Sequence, residues 1–126
     1  MPKTIHDAPS GPQPIGPYSI VTEANGLVFV SGMVALVPET GRAVEGDVTA
    51  QTHQVMKNIG AVLGDVGLGY DDIVKTTIFV TDMADFGAVN EVYGEYVGES
   101  RPARSTIEAG ALPGGFLVEI ESISAR

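Results

Sequence analysis

Ile73-Val74-Lys75-Thr76-Thr77-Ile78-Phe79-Val80-Thr81 runs directly into Asp82, and an apolar stripe of Phe86, Val89, Tyr93, Tyr96 and Val97 follows. The first nine residues are rich in β-branched side chains, which pack well on a pleated surface, and they read as a strand. Alternation puts Val74, Thr76, Ile78 and Val80 on one face and Lys75, Thr77, Phe79 and Thr81 on the other. Asp82 offers a side-chain oxygen to unpaired amides, which predicts the N-cap of a helix. Spacings of three and four carry that helix to about Val97. Gly98 stops it, and Pro102 bars its continuation.

The same pattern extends outward in both directions. Upstream, Asp47 predicts a second N-cap, and Val48, Thr52, Val55, Met56, Ile59, Val62, Leu63 and Val66 form one apolar helical face. Gly67 fits the end of that helix. Asn25-Gly26, between Tyr18–Glu23 and Leu27–Ser31, is a strong hairpin signal. Pro38-Glu39-Thr40-Gly41 reads as a further turn between Ala35-Leu36-Val37 and Ala43-Val44. Pro2, Pro9, Pro12, Pro14 and Pro17 fix φ and remove donors, so residues 1–17 read as an extended arm. Downstream, Arg104–Ala109 and Phe116–Ser124 are two more strands, separated by the Leu112-Pro113-Gly114-Gly115 turn. The predicted class is α+β: a mixed sheet interrupted by two helices, which right-handed crossovers place on one face. The uncovered face then calls for oligomerisation through the sheets.

The 126 residues fit one domain, 1–126, on a scale of roughly 150 residues per domain. There is no cysteine, which excludes a disulfide scaffold, a thiolate zinc site, an iron–sulfur cluster and a cysteine nucleophile. The two histidines, His6 and His53, are too few for an all-histidine metal site. A formal charge of −9 and the lack of a basic run oppose nucleic-acid binding, which needs cations to displace counterions from phosphate. No signal peptide or membrane span is visible, and a cytoplasmic location is expected.

The chemistry centres on the last strand. Alternation sends Phe116, Val118 and Ile120 toward the helices, and Leu117, Glu119, Glu121 and Ile123 to the opposite face. Two carboxylates between two aliphatics are unusual on a surface that needs covering. They are either solvated, paired with a neighbour's cations, or functional. Arg104 opens a strand behind Pro102, and its planar fork matches a carboxylate in a bidentate pair. It fits either a structural ion pair with Glu119 or Glu121, or a ligand's carboxylate. Ser31 lacks a Gly-x-Ser-x-Gly elbow, the glycine-rich stretches match no nucleotide-binding motif, and His53 has no second ligand at helical spacing.

Pro102-Ala103-Arg104-Ser105-Thr106-Ile107-Glu108, Ala111-Leu112-Pro113 and Val118-Glu119-Ile120-Glu121 together resemble the signature of the RidA (YjgF) family. Ile15-Gly16-Pro17-Tyr18, Phe29-Val30-Ser31-Gly32, Asp72–Asp82 and Phe86 with Val89-Asn90 extend the resemblance over almost the whole chain. The resemblance implies a chorismate-mutase-like subunit, assembled as a homotrimer with sheets facing inward and a cleft at each subunit boundary. It implies hydrolytic deamination of 2-aminoacrylate, 2-iminopropanoate and 2-iminobutanoate to 2-ketoacids and ammonia, with no cofactor and no metal. In that picture Arg104 clamps the substrate carboxylate and Glu119 positions water. Tyr18, Ser31, Gly32 and Asn90 surround the pocket, and the backbone amide of Thr106 donates to the carboxylate. Two positions depart from the common pattern: Met33 stands where glutamine is frequent, and Thr106 where cysteine is. The alternatives are a non-catalytic trimer that binds small carboxylates, and a ribonuclease or translation inhibitor.

Overall fold

A computed structural model describes residues 2–126. Its strands are β1 (Thr4–His6), β2 (Val21–Ala24), β3 (Leu27–Met33), β4 (Leu36–Val37), β5 (Arg42–Ala43), β6 (Ile73–Val80), β7 (Ala103–Glu108) and β8 (Val118–Ala125). The helices are α1 (Val48–Asp65) and α2 (Phe86–Val97). Six strands form one sheet in the order β1-β2-β3-β8-β6-β7, and β4 and β5 make a separate hairpin. Among the described residues, β6 and β7 are the one parallel pair; the other pairs are antiparallel. Both helices lie on one face of this mixed sheet, as the sequence predicts.

The caps explain where α1 begins and ends. The Ala50 amide donates to the Asp47 carboxylate at 3.1 Å, satisfying an N-terminal orphan donor. At the other end, Leu68 N–H reaches Leu63 O and Gly67 N–H reaches Gly64 O, a Schellman closure. It requires the left-handed φ of 79° that Gly67 supplies. All eight residues of the expected stripe are buried. Asn58 is buried with them, and its amide donates to Val34 O and Leu36 O. That ties α1 to the segment leading into the β4–β5 hairpin.

Four boundary readings need correction. The arm over residues 1–17, whose first residue lies outside the described part, contains a strand: β1 pairs with β2. The second strand begins at Val21 instead of Tyr18, because an irregularity at Ser31–Gly32 breaks regular pairing there. Residues 19 and 20 hold on through Ser31 Oγ donating to Ser19 O and Ser31 N–H donating to Ile20 O. Val74 is exposed instead of facing the helices, because a bulge between Ile73 and Lys75 resets the alternation. Asp82 caps a 3₁₀ turn, Met83–Asp85, and α2 proper starts at Phe86. Met83 N–H donates to Glu108 at 2.7 Å, which pins this entry turn to the end of β7.

Glu23 on β2 joins three parts of the chain. It meets His6 Nε2 at 2.7 Å and receives Arg126 Nε at 2.9 Å, and Arg126 also donates to Val66 O at the end of α1. Arg126 and then His6 hold the Glu23 carboxyl down to about 2.

Candidate active site

Register decides which way each candidate side chain faces. Across β6–β7, Arg104 lies beside Thr76 and Thr106 beside Ile78. Thr76 and Ile78 are buried on the helix side of the sheet, so Arg104 and Thr106 face α2. Across β6–β8, Glu119 lies beside Phe79, on the face without helices. Arg104 and Glu119 of one chain therefore point to opposite sides of the sheet.

Each lines its own cavity. Glu119, Tyr18, Ser31 and Gly32 share one of about 710 Å³, walled by apolar residues including Ile20, Met33 and Phe116. Arg104 and Asn90 share a second, of about 340 Å³, with Tyr93, Arg101 and Pro102. Thr106 lines neither, and its hydroxyl is buried with no partner.

The Glu119 cavity exists because of a bulge. Between Val30 and Met33, β3 carries one more residue than β8 opposite it. Gly32 sits where a Cβ would collide with Glu119 Oε2 and lie 2.8 Å from its Cδ. Absence of that Cβ lets the carboxyl lie across the strand. Burial, and then the neighbouring charge of Glu121, raise the Glu119 pKa above the ordinary carboxylate value.

Arg104 is held by neutral groups. Its Nη1 donates to Asn90 Oδ1 at 2.7 Å. Its guanidinium carbon lies 5.5 Å from the Phe86 ring centre and 5.2 Å from that of Tyr93. The Tyr93 hydroxyl shares a 2.7 Å hydrogen bond with Thr76, which fixes that ring, and burial raises its pKa. The structural ion pair with Glu119 or Glu121 does not form: among the described residues, the acid partner in both ion pairs is Glu23. Sequence reading assigned Phe86 and Tyr93 to the core stripe and missed them as walls around Arg104. The available signal was their position four before and three after Asn90, on one helix face.

Taken together, the chain is a two-helix α+β domain with, among the described residues, an arginine free of any carboxylate partner and a carboxylic acid of raised pKa in separate clefts. Residues 8–126 match the family model described as Endoribonuclease L-PSP, and the chain belongs to that family, which is the RidA/YjgF family. Reactive Intermediate Deaminase A, chloroplastic, of Arabidopsis thaliana is 46% identical over 122 residues, covering 97% of this chain and 65% of the relative. The mouse 2-iminobutanoate/2-iminopropanoate deaminase is 42% identical over 115 residues, covering 91% and 85%. Among solved structures, the conserved Rid family protein YyfA of Yersinia pestis superposes with a TM-score of 0.95 at 45% identity, covering 99% and 100% of the two chains. Among the described residues, no helix is long and apolar enough to cross a membrane.

Proposed function

We propose that this protein hydrolyses 2-imino and enamine acids to 2-ketoacids and ammonia, at sites formed where copies of the chain meet. The observation that carries the reading is Arg104: a guanidinium set by Asn90 and two aromatic rings, with no carboxylate within 4 Å among the described residues. Four of its five N–H donors remain for an incoming carboxylate. The names of the Arabidopsis and mouse relatives support the same chemistry.

Arg104 binds the substrate carboxylate and so fixes the adjacent C=N carbon. Glu119 takes a proton from a water as its oxygen bonds to that carbon. With the imine nitrogen protonated the adduct is a carbinolamine; the proton on Glu119 passes to its amino nitrogen, the C–N bond breaks as the hydroxyl oxygen closes to C=O and its proton returns to Glu119, and ammonia leaves a ketoacid behind. Water adds and ammonia departs with no change of oxidation state, so the step needs no redox partner.

The two groups meet only if a second copy supplies one of them. The open sheet face supports such an assembly. Ile5, Leu27, Phe29 and Ile107 are exposed on it, and large apolar side chains left uncovered on one sheet face favour an interaction site there. We propose the inward-facing homotrimer, with Arg104, Asn90 and the Thr106 amide from one subunit and Tyr18, Ser31, Gly32 and Glu119 from the next. The expected compartment is the cytoplasm. A net charge of −9 weighs against the ribonuclease chemistry in the family's description.

The test is release of ketoacid and ammonia from 2-iminobutanoate generated enzymatically in the assay. Wild type should accelerate it in proportion to its concentration. Arg104→Ala should lose about 10- to 150-fold in kcat/KM, the cost of a charge-assisted contact of roughly 1.5–3 kcal/mol. Carboxylate binding by wild type without turnover would establish the non-catalytic carboxylate binder instead.

A further inference from the structure

We propose that Arg101 is a second anion-binding group in the Arg104 cavity, and that the preferred substrate is a 2-imino acid bearing another carboxylate on its side chain. This rests on the reading of Arg104 as the clamp for the first carboxylate.

Three observations converge. The chain holds 7 lysines and arginines against 16 acids, yet two of those cations, Arg101 and Arg104, line one cavity of about 340 Å³. In so acidic a protein, cations readily find carboxylates, as Arg126 does with Glu23. Among the described residues neither Arg101 nor Arg104 lies within 4 Å of one. Two like charges sharing a cavity with no anion between them repel, and a bound dianion relieves both.

The backbone adds the third observation. Residues three apart in an extended chain face opposite sides. Arg101 would then point away from Arg104. Instead it adopts φ 44° and ψ 70°, in the left-handed region, immediately before Pro102. With that turn both residues line the same cavity. Among the described residues, the one other non-glycine residue with positive φ is Asn25, in an Asn-Gly turn, where asparagine is a low-cost choice. Arginine is not such a choice. Glycine or asparagine would make the same turn with less strain, so what Arg101 contributes is its guanidinium. The cavity is at the lower end of the 300–1,000 Å³ typical of small-ligand sites, which suits a four- or five-carbon dicarboxylate.

The experiment compares 2-imino acids made in the assay by amino-acid oxidases from aspartate, glutamate and alanine. Wild type should favour the two dicarboxylic substrates over 2-iminopropanoate by about tenfold in kcat/KM. Arg101→Ala should cut that preference about tenfold, mainly through KM, and Arg101→Lys should retain most of it. No preference in wild type, or an equal fall on all substrates in Arg101→Ala, overturns the inference and leaves the deaminase reading standing. If wild type turns over none of the three, the deaminase reading fails, and calorimetry decides the cavity's chemistry. Succinate binding more tightly than propionate, with the difference lost in Arg101→Ala, supports a two-cation cavity; equal binding overturns it.

Discussion

Glu119 sits in tension between fold and chemistry. A carboxyl whose pKa is raised by burial and by Glu121 is favoured by the fold in its protonated form. Its stabilising contribution is complete below the unfolded pKa of about 4.3 and is lost as pH rises through the folded value. Glu119→Gln should therefore raise Tm at pH 7.5 by about 1–4 °C, and the two melting curves should converge near pH 4. The same substitution should abolish the acid limb of the kcat/KM profile, which in wild type lies above the ordinary carboxylate range because the base must ionise. Gly32→Ala tests the neighbouring contact. The added methyl meets the far end of a flexible side chain, so thermal melts should move by less than about 2 °C. Single-turnover deaminase kinetics should nonetheless show the chemical step slowed by about tenfold or more, because the carboxyl must move from its place.

At the scale of elements, α1 offers a contest of magnitudes. Alanine is a better helix former than glycine by about 1 kcal/mol, yet a Cβ at Gly60 would collide with the Tyr70 hydroxyl and lie 2.6 Å from Cζ. Tyr70 donates to Met56 O at 2.7 Å and so anchors the segment between α1 and β6. Overpacking costs about 1–3 kcal/mol and the lost hydrogen bond about 1 more. Urea unfolding of Gly60→Ala should thus show a net loss of about 1–3 kcal/mol. The regularity of α1 is also why it was legible from sequence, since eight buried side chains recur at helical spacing between an acidic cap and a glycine stop. Legibility failed where one residue breaks a period. The bulge after Ile73 turned Val74 outward, and the one at Ser31–Gly32 delayed β2, and alternation carries no mark of either. β1 went unread because the prolines around it masked a three-residue pairing. The unusual setting of Glu119 could be seen in its own strand, whereas the facing of Arg104 depends on its register against β6, which no local pattern encodes.

For the whole molecule, the decisive fact is the sheet between Arg104 and Glu119. The helices cover one side and leave the other open, with Arg104 facing the first and Glu119 the second. In the proposed trimer every reaction centre then draws on two polypeptides, and damage to one half need not touch the other. Two variants that are each impaired, Arg104→Ala and Glu119→Gln, should rescue one another when their subunits are mixed and reassembled. Random exchange in equal amounts leaves about a quarter of the centres with both groups intact, so the mixture should recover about a quarter of wild-type turnover. A mixture no more active than its parents would mean that the two halves belong to a single polypeptide after all.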